Sequence, residues 1–356
     1  MNKQVDSDVR VQLSPQAKVV NQENKKTPHH DRLKLYKSED GFNAIMAWYE
    51  GLVEQIEVPC KSKYVETRFG RTHMLVCGPK TAEPLVLVQA VAGNGPLWRN
   101  QLTDLAKHFR VYALDTVGQP GLSDPISPSY IEAKSEFSDW LVDVLDELNI
   151  EKASFAGVSA GGWQIMRLAS EHPERVKKLV LLSPMGVSNA RLPWKIWVTK
   201  VLSKKRSTNE LEDDLTAKSV RSPSAKGSSG KGSFGSFDRQ LARGMALCTR
   251  HFRLDRSLGI YNEATQKVSI GKGLKVLKRF FLSDSKQIIK NVSSESLVIF
   301  GEQEILYDPY KVSRRVESLM PNVIAMVIPN AGHAAIYDQP EFVNSLIIDF
   351  LLRKDA

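Results

Sequence analysis

The chain has little cysteine, and this scarcity excludes whole classes of protein. Its 356 residues include 3 cysteines, Cys60, Cys77 and Cys248, which are too few and too far apart for a disulfide framework or a C-x-x-C metal site. An odd count of scattered cysteines is typical of free thiols in a reducing compartment. The first thirty residues contain no apolar segment of the kind that a secretory signal needs. We therefore expect a cytoplasmic protein with free thiols.

Long apolar runs, metal-ligand clusters and nucleotide-binding motifs are also absent from the sequence. No stretch approaches the ~20 apolar residues that a membrane-spanning helix requires. No group of His, Cys and Asp has the spacing of metal ligands, and the glycine-rich segment 89–95 matches neither the phosphate-binding loop nor the dinucleotide fingerprint. No helix-turn-helix, RNP-like or zinc-finger pattern is present. The sequence predicts no membrane span, no metal, no cofactor and no nucleic-acid partner.

What is present is a globular composition with unevenly distributed charge. The chain is 42% hydrophobic and 25% charged, with 49 basic and 40 acidic residues and a net charge of +9. Residues 191–279 hold 20 basic and 7 acidic residues, which leaves 29 basic and 33 acidic residues elsewhere. One interpretation is that this basic segment attracts an anionic surface, or substrates or products that carry a carboxylate. The alternative is that it is only a solvated loop.

Alternating strands and helices predict an α/β fold with a mostly parallel sheet and helices on both faces. A mobile polar tail is expected over 1–30, and the core over 31–185 and 287–356. The interruption at 186–286 has helix-like pieces around a loop at about 204–237 that is rich in Ser, Gly and Lys, and it predicts a helical cap. An unrelated second domain is the alternative, but its core would be small. The predicted strands are 64–69, 72–77, 85–89, 110–115, 152–158, 177–183, 296–300 and 323–328.

One motif points to a nucleophile. The residues Gly157-Val158-Ser159-Ala160-Gly161 form G-x-S-x-G between a predicted strand and a predicted helix, the setting of a nucleophile elbow. The sharp turn strains the serine backbone, and the flanking glycines let strand and helix approach each other. A tight glycine-rich turn without catalytic function is the alternative. We expect Ser159 to be a nucleophile at the carboxyl end of the sheet.

A serine nucleophile needs a base and an acid, and two later loops supply candidates. His333 follows the strand 323–328 in Pro-Asn-Ala-Gly-His, at the same sheet edge as Ser159, whereas the other six histidines lie in the tail or in segments where surface or packing roles are expected. Glu304 lies three residues past the glycine that ends strand 296–300, and it is the preferred orienting carboxylate. Asp308 is the second candidate for the orienting carboxylate.

Acyl chemistry also requires hydrogen-bond donors for the oxyanion. The backbone N–H of Ala160, directly after the serine, is one expected donor, and the N–H of Val91 in the loop after strand 85–89 is the other. Trp98 and Trp163 lie near these two segments in the sequence and are candidates for the wall of an acyl pocket. Core packing is the alternative for both indoles.

With these residues placed, the chain from about Tyr64 to Leu352 resembles the α/β-hydrolase superfamily, and in particular the lidded bacterial carboxylesterases. The resemblance implies a cap inserted after Ser183, and it extends to enzymes that act on arylpropionate-type esters. Two positions depart from the usual pattern. Gln89-Ala90 stands where His-Gly usually precedes the oxyanion loop, and Glu304 stands where Asp is commoner.

The hypothesis is therefore a serine carboxylesterase acting on a small-molecule ester, of unspecified oligomeric state. A hydrolase of another bond (lactone, thioester or carbon–carbon) and a cofactor-free perhydrolase are alternatives, because a fold alone does not set the chemistry. A non-enzymatic ligand receptor is a further alternative, against which a complete Ser-Glu-His set argues.

Overall fold

The structure is a computed structural model that describes residues 35–36, 39–91, 93–128, 135–188, 285–304 and 306–353. The predicted tail at 1–30, nearly all of the predicted cap at 186–286 with its basic segment, and Cys248 lie outside these residues. The division into tail, core and cap therefore stays a prediction. In the described part of the chain, no helix is both long enough and apolar enough to cross a membrane.

The described chain alternates strands and helices around one sheet. The strands are β1 (Cys60–Thr67), β2 (Gly70–Cys77), β3 (Pro84–Val88), β4 (Arg110–Leu114), β5 (Ala153–Val158), β6 (Val176–Leu182), β7 (Glu295–Gly301) and β8 (Val323–Ile328). The α-helices are α1 (Glu39–Val53), α2 (Arg99–Leu105), α3 (Glu136–Glu147), α4 (Ala160–Glu171), α5 (Lys286–Asn291), α6 (Pro309–Leu319), α7 (Ala335–Asp338) and α8 (Pro340–Leu352). Short 3₁₀ helices span Gly95–Trp98 and Pro173–Arg175.

The sheet confirms the predicted α/β architecture. Its eight strands lie in the order β1-β2-β4-β3-β5-β6-β7-β8. The six strands β3 to β8 are parallel to one another. At the other end of the sheet, β1 pairs antiparallel with β2, and β2 pairs antiparallel with β4. Because parallel strands point the same way, the segments that follow β3, β4, β5, β7 and β8 all leave the sheet at one edge.

Both faces of the sheet are covered by helices, as parallel sheets require. Buried side chains of α3, α4, α5 and α6 pack against one face. Those of α2, α7 and α8 pack against the other face. The central strands are almost entirely apolar because neither face meets water: all six residues of β5 and four of the five residues of β3 are buried.

The cysteines correct one expectation from the sequence. Cys60 and Cys77 form a disulfide across β1 and β2, so the prediction of free thiols is wrong for this pair. The chain folds back after Thr67, and the register then sets the two cysteines directly opposite each other, with their Cα atoms 4.4 Å apart, which is within disulfide reach. A separation of 17 residues does not reveal this register, and the thiol argument for a reducing compartment no longer holds.

Candidate active site

Ser159 occupies the turn between β5 and α4 in a backbone conformation that few residues adopt. Its φ is 52° and its ψ is −111°, a region that costs a residue with a side chain about 1–3 kcal/mol. The Ser159 N–H donates to the carbonyl oxygen of Leu182 at 2.9 Å, and the Ser159 carbonyl accepts the N–H of Met185 at 2.9 Å. Hydrogen bonds to the end of β6 and to the segment after it therefore hold the strained turn.

The two glycines of the motif are required by close backbone approaches. A Cβ atom on Gly157 would lie 2.7 Å from the backbone of Gly161 and Gly162, and a Cβ atom on Gly161 would lie 2.3 Å from the carbonyl oxygen of Val88. Neither distance is tolerable for a carbon atom. The second contact also brings the end of β3 against the first turn of α4, which places the segment that contains Val91 beside the elbow.

His333 and Glu304 form a hydrogen-bonded pair. The Nδ1 atom of His333 lies 2.6 Å from Oε2 of Glu304. The Glu304 side chain is fully buried, whereas the His333 side chain is 17% exposed, so the imidazole is the member of the pair that an incoming molecule reaches. The N–H of Leu306 donates to Oε1 of Glu304 at 2.9 Å and fixes the carboxylate.

The surroundings of His333 move the pKa of its imidazole. Burial lowers this pKa, but the negative charge of Glu304 and the hydrogen bond to it outweigh burial, so the pKa is raised above its ordinary value of 6.5. Both effects of Glu304 raise the pKa of His333 because they favour the protonated imidazole. The pair is therefore suited to accept a proton from a neighbouring hydroxyl and to stabilise the resulting imidazolium.

The loops that carry His333 and Glu304 are packed directly against each other. The N–H of Gln303 donates to the carbonyl oxygen of Ala331 at 2.8 Å. A Cβ atom on Gly301 would lie 2.2 Å from the carbonyl oxygen of Gly332, so only glycine allows the two loops to meet there. This contact explains why the acid lies so soon after the glycine that ends β7.

Ser159 follows β5, Glu304 follows β7 and His333 follows β8, so all three leave the same edge of the sheet. Within the described part of the chain, no hydrogen bond joins Ser159 to His333. Such contacts are commonly long in a free enzyme and tighten when substrate binds.

The reserve carboxylate has another partner. Asp308 caps the N-terminus of α6, where its side chain accepts the N–H of Lys311 at 3.1 Å. This backbone hydrogen bond lowers the pKa of the Asp308 carboxyl. Of the two candidate acids, the structure brings Glu304 to His333 and assigns Asp308 to the helix cap.

The two predicted oxyanion donors lie on segments that meet. Ala160 is the first residue of α4, and Val91 lies three residues past the end of β3, whose last carbonyl faces Gly161. The Val91 side chain packs against the cluster formed by Trp48, Leu52 and Leu97.

The two residues predicted as pocket walls lie deep in the core. The side chains of Trp98 and Trp163 are fully buried, and each belongs to a hydrophobic core cluster, one on either face of the sheet. The Trp163 ring also makes an edge contact with Phe137. This burial favours the packing alternative for both indoles, and a role in the wall of an acyl pocket stays a prediction.

A second histidine–carboxylate pair was missed by the sequence reasoning. His73 on β2 is fully buried, and its Nδ1 atom lies 2.9 Å from Oδ2 of Asp115, which directly follows β4. The Nε2 atom of His73 lies 2.7 Å from Oγ of Ser62 on β1. The feature of the sequence that could have indicated this pair is Asp115, because it follows a strand at the same edge as Ser159. Nothing in the sequence pairs Asp115 with a histidine 42 residues away.

The fold and the site define an α/β hydrolase. The family model for the α/β hydrolase fold matches residues 83–340, which is most of the chain. The chain belongs to this family.

Individual relatives carry a more specific name. An uncharacterized carboxylesterase, nap, of Bacillus subtilis is 28% identical over 82% of this chain and 87% of its own length. Carboxylesterase YbfK of the same organism is 27% identical over 90% of this chain and 97% of its own length. The crystal structure of carboxylesterase CesB (YbfK) from Bacillus subtilis superposes with a TM-score of 0.67 at 23% identity, covering 88% of this chain and 99% of that one.

Proposed function

We propose that this protein is a carboxylesterase that hydrolyses esters through a covalent acyl-enzyme on Ser159. The observation that carries the proposal is the His333–Glu304 pair, 2.6 Å apart, at the same sheet edge as a serine in a strained elbow. The carboxylesterase names of two relatives that align over more than four fifths of the chain support the same reaction.

The proposed reaction has two halves. Ser159 Oγ attacks the ester carbonyl while His333 takes its proton, and the charge that develops on the carbonyl oxygen is stabilised by the N–H groups of Val91 and Ala160. His333 then gives the proton to the departing alcohol, which leaves the acyl group on Ser159. In the second half His333 activates a water molecule that hydrolyses the acyl-enzyme. Glu304 orients the imidazole and stabilises its charged form.

The substrate class rests on the family resemblance. We propose small hydrophobic esters, including arylpropionate-type esters, as substrates. A comparison of kcat/KM across esters, lactones, thioesters and peroxide acceptors separates this activity from the alternatives on the same fold. Esters should rank first by at least tenfold, and a lactone or thioester that ranked first would replace the proposal.

The direct test is the hydrolysis of p-nitrophenyl esters by Ser159→Ala. We expect its kcat to fall by about 10⁴-fold or more, because loss of the nucleophile removes the covalent route. Ser62→Ala is the matched control, since Ser62 also contacts the histidine of a histidine–carboxylate pair, and it should keep kcat within a few-fold. Full activity in Ser159→Ala would overturn the proposal.

The cytoplasmic location stays a prediction. The Cys60–Cys77 disulfide removes one of its two supports, because disulfides persist mainly in oxidising compartments. Mass spectrometry of alkylated peptides from the native source measures the state of these two cysteines directly, and a stable disulfide there would favour an oxidising compartment instead.

A further inference from the structure

Asp115 is a buried junction between two loops at the carboxyl edge of the sheet. Its Oδ1 atom accepts the N–H of Gly95 at 2.7 Å, and its Oδ2 atom accepts the N–H of Leu122 at 2.9 Å. The same Oδ2 atom accepts Nδ1–H of His73 at 2.9 Å. Asp115 is 1% exposed, so a carboxylate shielded from water and met by three donors is held in one place.

The first of these donors belongs to the loop that carries Val91. Gly95 lies four residues after Val91, and the intervening chain closes a turn in which the N–H of Gly93 donates to the carbonyl oxygen of Ala90 at 2.9 Å. A Cβ atom on residue 95 would lie 2.6 Å from the carbonyl oxygen of Ala113, so only glycine brings the N–H within reach of Asp115. The carboxylate therefore anchors this loop at its C-terminal end.

The position of Asp115 is in turn fixed by its hydrogen bond with His73. Because a carboxylate only accepts hydrogen bonds, the bond to Asp115 requires a ring hydrogen on Nδ1 of His73. The Nε2 atom lies 2.7 Å from the hydroxyl oxygen of Ser62 and makes a hydrogen bond with it. Both ring nitrogens have partners, and the ring has no freedom to rotate without breaking one of these contacts.

We propose that Asp115 is a positioning residue for the ester hydrolysis, acting through Gly95 to keep the Val91 N–H in place for the developing oxyanion. This inference rests on the proposed function. Asp115 does not touch the reacting atoms; it sets the position of the loop whose donor does.

The expected size of the effect follows from the value of an oxyanion donor. Loss of one donor typically costs ~10²-fold to 10³-fold in rate, and a displaced donor costs less than a deleted one. Asp115→Ala, which leaves the Gly95 N–H without its acceptor, should therefore lower kcat by about 10-fold to 100-fold and change KM by less than about threefold.

Asp124→Ala is the matched control. Asp124 lies in the loop that follows Asp115, and its carboxylate likewise accepts a backbone N–H, that of Arg71 at 2.9 Å. Neither this contact nor its ion pair with Arg71 reaches the loop that carries Val91. We expect Asp124→Ala to keep kcat within about threefold of the wild-type value.

The decisive readout is the affinity for a trifluoromethyl ketone compared with that for the matching methyl ketone. The fluorinated ketone adds to Ser159 and forms an oxyanion, whereas the methyl ketone largely stays a neutral ligand. In Asp115→Ala the inhibition constant of the trifluoromethyl ketone should rise by the same factor as kcat falls, with the methyl ketone unchanged. Equal changes for both inhibitors, or equal loss of kcat in Asp115→Ala and Asp124→Ala, would overturn the proposal.

A second variant covers the case in which Asp115→Ala does not fold. Gly95→Ala leaves Asp115 intact, but its new Cβ atom meets the Ala113 carbonyl and lies 3.3 Å from Asp115 Oδ1, so the loop must shift. The same selective loss of trifluoromethyl ketone affinity is expected, and its absence in a folded Gly95→Ala would contradict the proposal. Ser159→Ala separates the two claims: if it retains activity, the proposed function itself fails, whatever Asp115 does.

Discussion

Two histidine–carboxylate pairs lie in different halves of the sheet, and their chemistry is nearly the same. In each pair Nδ1 of the imidazole lies within 3 Å of a carboxylate oxygen: 2.6 Å for His333–Glu304 and 2.9 Å for His73–Asp115. The second pair even has a serine, Ser62, at 2.7 Å from the other ring nitrogen. By hydrogen-bond geometry alone, the second set is the more complete one.

The two pairs differ in the exposure of their histidines and in the backbone conformation of the neighbouring serines. His333 is partly exposed at the edge where Ser159 leaves the sheet, and Ser159 sits in an elbow with positive φ. His73 is fully buried, and Ser62 lies in the middle of a regular antiparallel strand. A serine nucleophile needs donors for the oxyanion as well as a base. We therefore propose that the His333–Glu304 pair takes part in catalysis and that the His73–Asp115 pair holds loops in place.

Removing each histidine in turn is expected to give the largest contrast. His333→Ala should lower kcat by about 10⁴-fold or more, because the base is lost. His73→Ala should lower kcat by less than about tenfold but destabilise the fold by about 2 kcal/mol or more, because buried partners lose their hydrogen bonds. Steady-state kinetics and thermal melts measure both, and similar kcat losses in the two variants would remove the distinction.

The next largest contrast compares the two carboxylates near β7. Glu304→Ala should lower kcat by roughly 10³-fold to 10⁴-fold, since the imidazole loses its orienting partner. Asp308→Ala should leave kcat unchanged and cost about 1 kcal/mol of stability through the loss of a helix cap. If Asp308→Ala gave the larger loss of kcat, the acid would have been assigned to the wrong residue.

The pH dependence of activity tests the His333–Glu304 pair with a smaller effect. Neutral His333 is the proposed base, and Glu304 raises its pKa above 6.5. Activity should therefore fall as the pH drops through this raised pKa, by about tenfold per pH unit on the acid limb of kcat/KM. In Glu304→Gln the residual activity should show this limb at lower pH, because the charge that raised the pKa is gone. An unshifted limb would mean that Glu304 does not act on His333.

The disulfide lies on the hairpin that carries His73, and its removal is expected to affect activity only slightly. The double variant Cys60→Ser, Cys77→Ser should lose about 3 kcal/mol of stability, the chain-entropy value for a loop of this size, while kcat changes less than about twofold. Reduction of the wild-type protein should lower the melting temperature in the same way. A large loss of kcat in this variant would mean that the hairpin supports the active edge more directly than the fold indicates.

Ser159, Glu304 and His333 could be singled out from the sequence because their order and local setting carry the signal. Ser159 lies in a motif whose glycines are required by close backbone contacts. His333 and Glu304 each follow a segment that the sequence predicts to be a strand of the parallel sheet. Such features are local, and each of them is readable within a few residues. The eight predicted strands agree with the structure to within four residues at either end.

The buried pair and the disulfide could not be predicted in this way because both depend on register between distant segments. His73 meets Asp115 only because β2 pairs with β4, and sequence spacing does not reveal that strand order. Cys60 meets Cys77 only because the turn lies at Arg68 and Phe69 instead of the Gly70-Arg71 expected from the sequence. Trp98 and Trp163 were ambiguous for a related reason: proximity in sequence to the site does not tell on which side of the backbone an indole packs.

The most direct test of the difference between the two pairs is a fluorophosphonate probe followed by peptide mapping. The probe reacts with serines that have both an active base and room for a tetrahedral phosphorus. We expect one label per chain, on the peptide that contains Ser159, with loss of the label in His333→Ala and none on the peptide that contains Ser62. A label on Ser62, or an active esterase in which Ser159 stays unlabelled, would contradict the account.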